Sequence, residues 1–232
     1  MRSISLRDTL EARMEELLHD GATLVRNPKK TIDPARSSHE QASTDAARSE
    51  SARIEILSTL GEGGMGIVHL GRQVTLGREV AVKTVRAEVL SEANTSRLLR
   101  EAWITGALEH PNVVPVHDIA LDETGQPRIV MKKIDGKPWS DLFWDERTVK
   151  QRFKVKSLLN WNVRILMQVC DAIRFAHSRG ILHRDIKPEN VMIGEFGEVY
   201  VVDWGLAVSM VDDGTNRLPL AKDATDMAGT PC

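Results

Sequence analysis

Residues 181–193 read Ile-Leu-His-Arg-Asp-Ile-Lys-Pro-Glu-Asn-Val-Met-Ile, and this stretch does most to decide what the chain is. Asp185 stands five positions before Asn190, a spacing that can aim one side chain at a substrate hydroxyl and the other at a metal ion beside it. Lys187, two positions past Asp185, adds a cation able to balance charge on a transferred phosphoryl group. The segment follows 157–179, where Leu158, Leu159, Val163, Leu166, Val169, Ile173 and Ala176 form an apolar stripe that predicts a helix ending at Gly180. Ten residues beyond Ile193 stands Asp203, at the end of the apolar strand-like run VYVV and before Trp204 and Gly205. A carboxylate leaving a buried strand into a glycine turn suits magnesium, a hard cation that prefers oxygen ligands.

Upstream the text is strand-like. IEILSTL, GIVHLGRQ and REVAVKTVR predict three successive antiparallel strands from Arg53 onward, then a helix over 92–108 and two more strands in VVPVHDIAL and PRIVMKKI, separated by a turn at 123–126. LGEGGMGIV at 60–68 sets Gly61, Gly63 and Gly66 between the first two strands, where missing side chains let backbone amides approach phosphate oxygens. A hairpin turn would use the same glycines, but a dinucleotide-binding loop would open into a helix, which IVHL does not. Lys83, in VAVK, lies seventeen residues past Gly66, and Glu101 in the following helix could pair with it and fix its direction.

Composition narrows the classes. The 232 residues are 41% hydrophobic, enough for a sizeable core, and 31 basic against 33 acidic residues give no overall positive field for nucleic acid or an anionic membrane. Cys170 and Cys232 form no CxxC pair, so neither a disulfide framework nor a zinc site is expected, and a reducing cytoplasm fits. No run approaches the roughly 20 apolar residues of a membrane span. Residues 1–26 hold a short amphipathic pattern, and 27–52 have the Pro, Ser, Thr, Ala and charge-rich composition of a disordered linker.

In this order of motifs, with HPN at His110 to Asn112, residues 54–232 resemble the protein kinase family, and more closely the bacterial kinases of eukaryotic type. The resemblance implies an α+β two-lobe fold. Residues 53–135 would form an N-lobe with a five-stranded antiparallel sheet and one helix, and 136–232 a helical, incomplete C-lobe ending in the activation segment. ATP and Mg2+ are the implied cofactors. Leu60 to Gly66, including Glu62, Gly64 and Met65, would cover the ATP phosphates. Lys83 would hold the α- and β-phosphates and Glu101 would secure it. Val68, Ala81 and Met192 would form the adenine slot, with Met131 as gatekeeper and Lys132 to Ile134 as hinge. Asp185 would orient the substrate hydroxyl, Lys187 would contact the γ-phosphate, and Asn190 and Asp203 would hold magnesium. Lys187 resembles the serine/threonine rather than the tyrosine branch, and the family resemblance implies protein substrates and allows self-association for autophosphorylation. Arg184 would dock a phosphorylated activation loop, in which Ser209, Thr215, Thr225 and Thr230 are the hydroxyls and Thr225 the expected phosphosite.

Four departures stand out. Trp204 replaces the usual Phe, and Lys132 and Lys133 replace acidic and aromatic hinge residues. The loop from Asp203 to AGTP at 228–231 is long. The chain stops at Cys232, before the APE segment and supporting helices with which the family continues, so apolar surface beneath 157–179 is expected to lack part of its cover. A non-catalytic nucleotide-binding or regulatory fragment is the alternative reading. A small-molecule phosphotransferase is a third, against which Lys187, HPN and AGTP all argue.

Overall fold

The computed structural model describes residues 54–63, 66–212 and 220–223. The expected terminal helix and linker at 1–52, Gly64, Met65, Thr215, Thr225 and Thr230 lie outside the described residues.

The five expected strands form one antiparallel sheet in the order β1-β2-β3-β5-β4: β1 Ile54–Glu62, β2 Gly66–Gln73, β3 Arg78–Val85, β4 Val116–Leu121 and β5 Pro127–Lys132. The period-two pattern of β3 decides what each face does. Val80 and Val82 are fully buried with Ala120 and Val130 on one face, while Ala81 and Lys83 point to the other. Helix α1, Glu92–Ala107, covers that second face through Leu98 and Ala102, which pack with Ile129. Its start is capped by the Ser91 hydroxyl, which accepts from Asn94 N at 3.3 Å.

The second lobe is more mixed than the expected helical lobe. It holds α2 Trp139–Leu142, α3 Glu146–Phe153 and α4 Leu158–Ser178, but also two small sheets. One is β6-β8-β9, from Gly136–Pro138, Val191–Gly194 and Val199–Val201; the other pairs β7 Ile181–Leu182 with β10 Val208–Ser209. Strands this short carry too little period to be told from loop. Their alignment comes from packing on the helices, whose largest core cluster includes Trp161, Ile165 and Val169 of α4 together with Val191, Ile193 and Val201.

Helix α4 corrects the expected stripe. Its buried residues are Trp161, Ile165, Val169, Ala172 and Ala176, whereas Leu159, Val163, Leu166 and Met167 are exposed, Leu159 at 71%. The helix is apolar on two faces, and periodicity alone could not choose between them. Among the described residues no helix is long and apolar enough to cross a membrane, and Cys170 is free and exposed.

The segment after α1 ties the lobes together. Asn112 lies outside the sheet, yet its carbonyl accepts from Val201 N at 2.7 Å and its side-chain amide donates to Val199 O and to Gln168 Oε1 of α4. The segment between α1 and β4 is therefore held to the second lobe by hydrogen bonds, in addition to the covalent β5–β6 connection.

Candidate active site

Between the lobes lies a cleft of about 720 Å3. Its roof is β1, β2 and the turn between them, where Leu60, Gly61, Glu62, Gly63, Gly66 and Val68 all line the space. The glycines differ in what they do. A Cβ on Gly61 would meet nothing within 4 Å, so the room beneath the roof is open there. On Gly66 it would stand 2.8 Å from the Thr84 carbonyl oxygen, because β2 and β3 run too close for a side chain at that point. The Gly63 amide closes the turn on the Gly66 carbonyl at 2.9 Å. Ala81 and Met131 supply apolar wall and Met192 the floor, with Ile134 and Pro138 at the connection between lobes.

Lys83 is the polar centre of the cleft. Its Nζ donates to Glu101 Oε1 at 2.6 Å and Oε2 at 2.8 Å, and to Asp203 Oδ1 at 3.4 Å. Burial by itself would lower its pKa, but the two carboxylates outweigh burial and hold the lysine above its usual value. Burial pushes the Glu101 carboxyl up, and the Lys83 ammonium opposes that push. Arg97, four residues before Glu101 and so on the same helix face, donates from Nε to Gly205 O at 3.0 Å. It holds the Asp203–Gly205 turn against α1. Sequence reasoning passed over Arg97, although its position relative to Glu101 was legible.

Asp203 adopts a left-handed backbone at φ 60, as does Arg184 at φ 66. Arg184 Nε donates to Leu206 O at 2.8 Å, so the expected docking arginine is tied to the segment that follows Asp203. His183, buried between them, accepts from Asp185 N at Nδ1 (3.3 Å) and donates from Nε2 to Val202 O (3.2 Å). That is a neutral imidazole, and burial keeps its pKa below the ordinary value. Trp204 is fully buried with its ring 4.5 Å from that of His183, and its Nε1 has no hydrogen-bond partner among the described residues. The pocket thus accepts the larger ring but leaves its polar edge unmatched.

Asp185, Lys187 and Asn190 come together as the sequence predicts. Asp185 Oδ2 accepts from Lys187 Nζ at 2.9 Å and from Asn190 Nδ2 at 2.9 Å, and Asn190 Nδ2 also donates to Asp185 O at 2.8 Å. Asn190 N–H and C=O are engaged by Lys187 O and Val202 N, so the loop is locked to the segment that leads from β9 to Asp203. Asn190 and Asp203 both line the cleft. Ser209 is buried, and its hydroxyl donates to Val211 O at 2.6 Å, so it does not present itself for modification.

Two strand ends, a helix and two turns from distant parts of the chain therefore converge on one cleft. Residues 54–232 match the family of the protein kinase domain. The chain belongs to the protein kinase family. Among curated proteins, the serine/threonine-protein kinase PknD of Protochlamydia amoebophila is 34% identical over 158 residues, covering 66% of this chain and 16% of that protein. PknB of Mycolicibacterium smegmatis is 37% identical over 170 residues, 72% of this chain and 26% of that protein. PknB of Mycobacterium tuberculosis is 36% identical over the same length and shares. The chain spans about a quarter or less of the length of the curated relatives it matches. The family implies ATP and, typically, Mg2+. Among the described residues no cluster of three or more His, Cys, Asp or Glu could hold a metal ion alone. The Asn190 carboxamide and Asp203 carboxylate nonetheless fit magnesium, which takes one or two protein oxygens and completes its shell with phosphate and water.

Proposed function

We propose that this chain is the ATP-binding and catalytic part of a protein serine/threonine kinase, transferring the γ-phosphoryl group of ATP to a protein Ser or Thr hydroxyl. One observation carries the reading: Lys83 bridges Glu101 at 2.6 Å and Asp203 at 3.4 Å, bringing the strand, helix and turn motifs to one point in the cleft. The bridge pre-aims an ammonium at the space beneath the glycine turn.

In this reading Gly61, Gly63 and Gly66 lie over the phosphates, and Lys83 holds the α- and β-phosphates. Val68, Ala81 and Met192 enclose adenine. Asp185 accepts the proton of the substrate hydroxyl as its oxygen bonds to the γ-phosphorus and the bond to the β-phosphate oxygen breaks, leaving ADP. Lys187, already 2.9 Å from Asp185, balances charge on the transferred group. Asn190 and Asp203 would hold Mg2+, which when bound neutralises phosphate charge. The kinase acts in the cytoplasm, and its activation segment is phosphorylated by a second copy of the chain.

The test is phosphate transfer from labelled ATP to a Ser/Thr-containing protein, with nucleotide binding measured in parallel. Asp185→Asn should lower transfer by about a hundredfold to ten-thousandfold while binding persists. Binding without transfer in the unaltered chain would favour the non-catalytic nucleotide-binding fragment instead.

A further inference from the structure

The two hinge lysines are the strongest departures from the family pattern that the catalytic reading leaves unused. The connection leaves the sheet at Lys132, whose amide donates to Pro115 O at 2.9 Å. It enters the second lobe at Gly136, which pairs with Gly194 and lies so close to β8 that a Cβ there would stand 2.1 Å from Ile193 O. Both ends are therefore held, and Lys133, Ile134 and Asp135 span the gap between them. Ile134 lines the cleft; Lys133 does not.

Lys133 binds on both sides of that short span. Its Nζ lies 2.6 Å from Glu79 Oε2, at the start of β3, and 2.7 Å from Asp135 Oδ1. The hydrogen bonds it donates to Asp135 and Glu79 push its pKa up to about 12, so it is charged at any physiological pH. The Asp135 carbonyl in turn accepts from Glu195 N, in the turn between β8 and β9, at 2.8 Å. A continuous polar path thus runs from the sheet of the first lobe through Glu79, Lys133 and Asp135 to the second lobe. Beside it, Lys132 lies 5.9 Å from the ring centre of Tyr200 on β9. An aromatic residue at 133 could pack in this place but could not join two carboxylates.

We propose that Lys133 is a positioning residue that clasps Glu79 and Asp135 together, fixing the hinge backbone around Ile134 at the edge of the cleft and hence the affinity for nucleotide. The proposal rests on the cleft being the nucleotide site. Because the clasp is exposed on its carboxylate side, with Glu79 at 46% and Asp135 at 62%, it is modest in strength and open to screening by salt.

The experiment measures the affinity of the full chain for a fluorescent ATP analogue in four variants. Lys133→Met should weaken binding about three- to tenfold, Glu79→Gln by less, and Lys133→Arg should retain most of the affinity. Lys150→Met, which removes the remote surface pair with Glu146, should leave it unchanged. Raising NaCl from about 0.05 to about 0.5 M should narrow the gap between the unaltered chain and Lys133→Met. In turnover the loss should appear in KM for ATP more than in kcat. Unchanged affinity in Lys133→Met, or equal losses in Lys133→Met and Lys150→Met, would overturn the proposal. If Lys133→Met does not fold, unchanged affinity in Glu79→Gln overturns it. Absence of binding by the unaltered chain would instead remove the nucleotide site itself, and the clasp with it.

Discussion

The Lys83–Glu101 pair allows a prediction that separates its contribution from that of the surrounding fold. Glu101 is 8% exposed, and the Lys83 side chain 20%. Removing one partner of a buried pair costs roughly 3–5 kcal/mol, because a charge is left in low dielectric. Here Lys83 keeps a second acceptor in Asp203 at 3.4 Å and some contact with water, so Glu101→Met should cost less, about 2 kcal/mol. Lys83→Met leaves Glu101, among the described residues, with the weaker attraction of Arg97 and should cost about 2–3 kcal/mol. The double variant replaces both ions with apolar chains of similar length and should be no worse than either single one, since a packed apolar pair can match a buried ion pair. The coupling energy from the cycle should therefore reach about 2 kcal/mol, visible as several degrees in melting temperature at this chain length. Thermal unfolding of the four proteins, with no nucleotide present, is the assay. Additive losses, with coupling below about 0.5 kcal/mol, would refute the idea that the two charges depend on each other.

Two further outcomes can be checked on the same protein. The neutral, buried His183 has a folded pKa below 6.5, so as pH falls below that value the unfolded chain takes up a proton that the folded one refuses, and stability declines by at most about 1.4 kcal/mol per pH unit. His117, lowered by burial and then by Arg78 and Lys132, adds in the same direction. Melting temperature should thus drop between about pH 7 and pH 5, and a folded-state NMR titration of His183 at or above 6.5 would contradict this. Gly66→Ala should lose about 1–3 kcal/mol of stability and weaken nucleotide binding, because its Cβ meets the rigid Thr84 carbonyl rather than a movable side chain. Full retention of both properties would mean that β2 and β3 separate more easily than their pairing implies.

The identity of the chain was written in short local spacings. Asp185, Lys187 and Asn190 lie within six residues, so a single turn had to bring them together, and the glycine turn and the pattern of β3 are equally local. The five strands and α1 could likewise be read from period and turn residues, because each is long enough to show its period. What needed the folded chain was every choice made between distant segments. Helix α4 carries two apolar faces, and only packing against α3 and the β8–β9 sheet selected Trp161, Ile165 and Val169 over Leu159, Val163 and Leu166. The strands of the second lobe, two to four residues each, exist because neighbours align them. The bridge from Glu79 to Lys133 joins residues 54 positions apart, and no local pattern signals a pairing of that kind. Spacing along the chain determines which groups one turn can unite. Which groups meet across lobes depends on how the buried surfaces fit, and that is decided only when the whole chain folds.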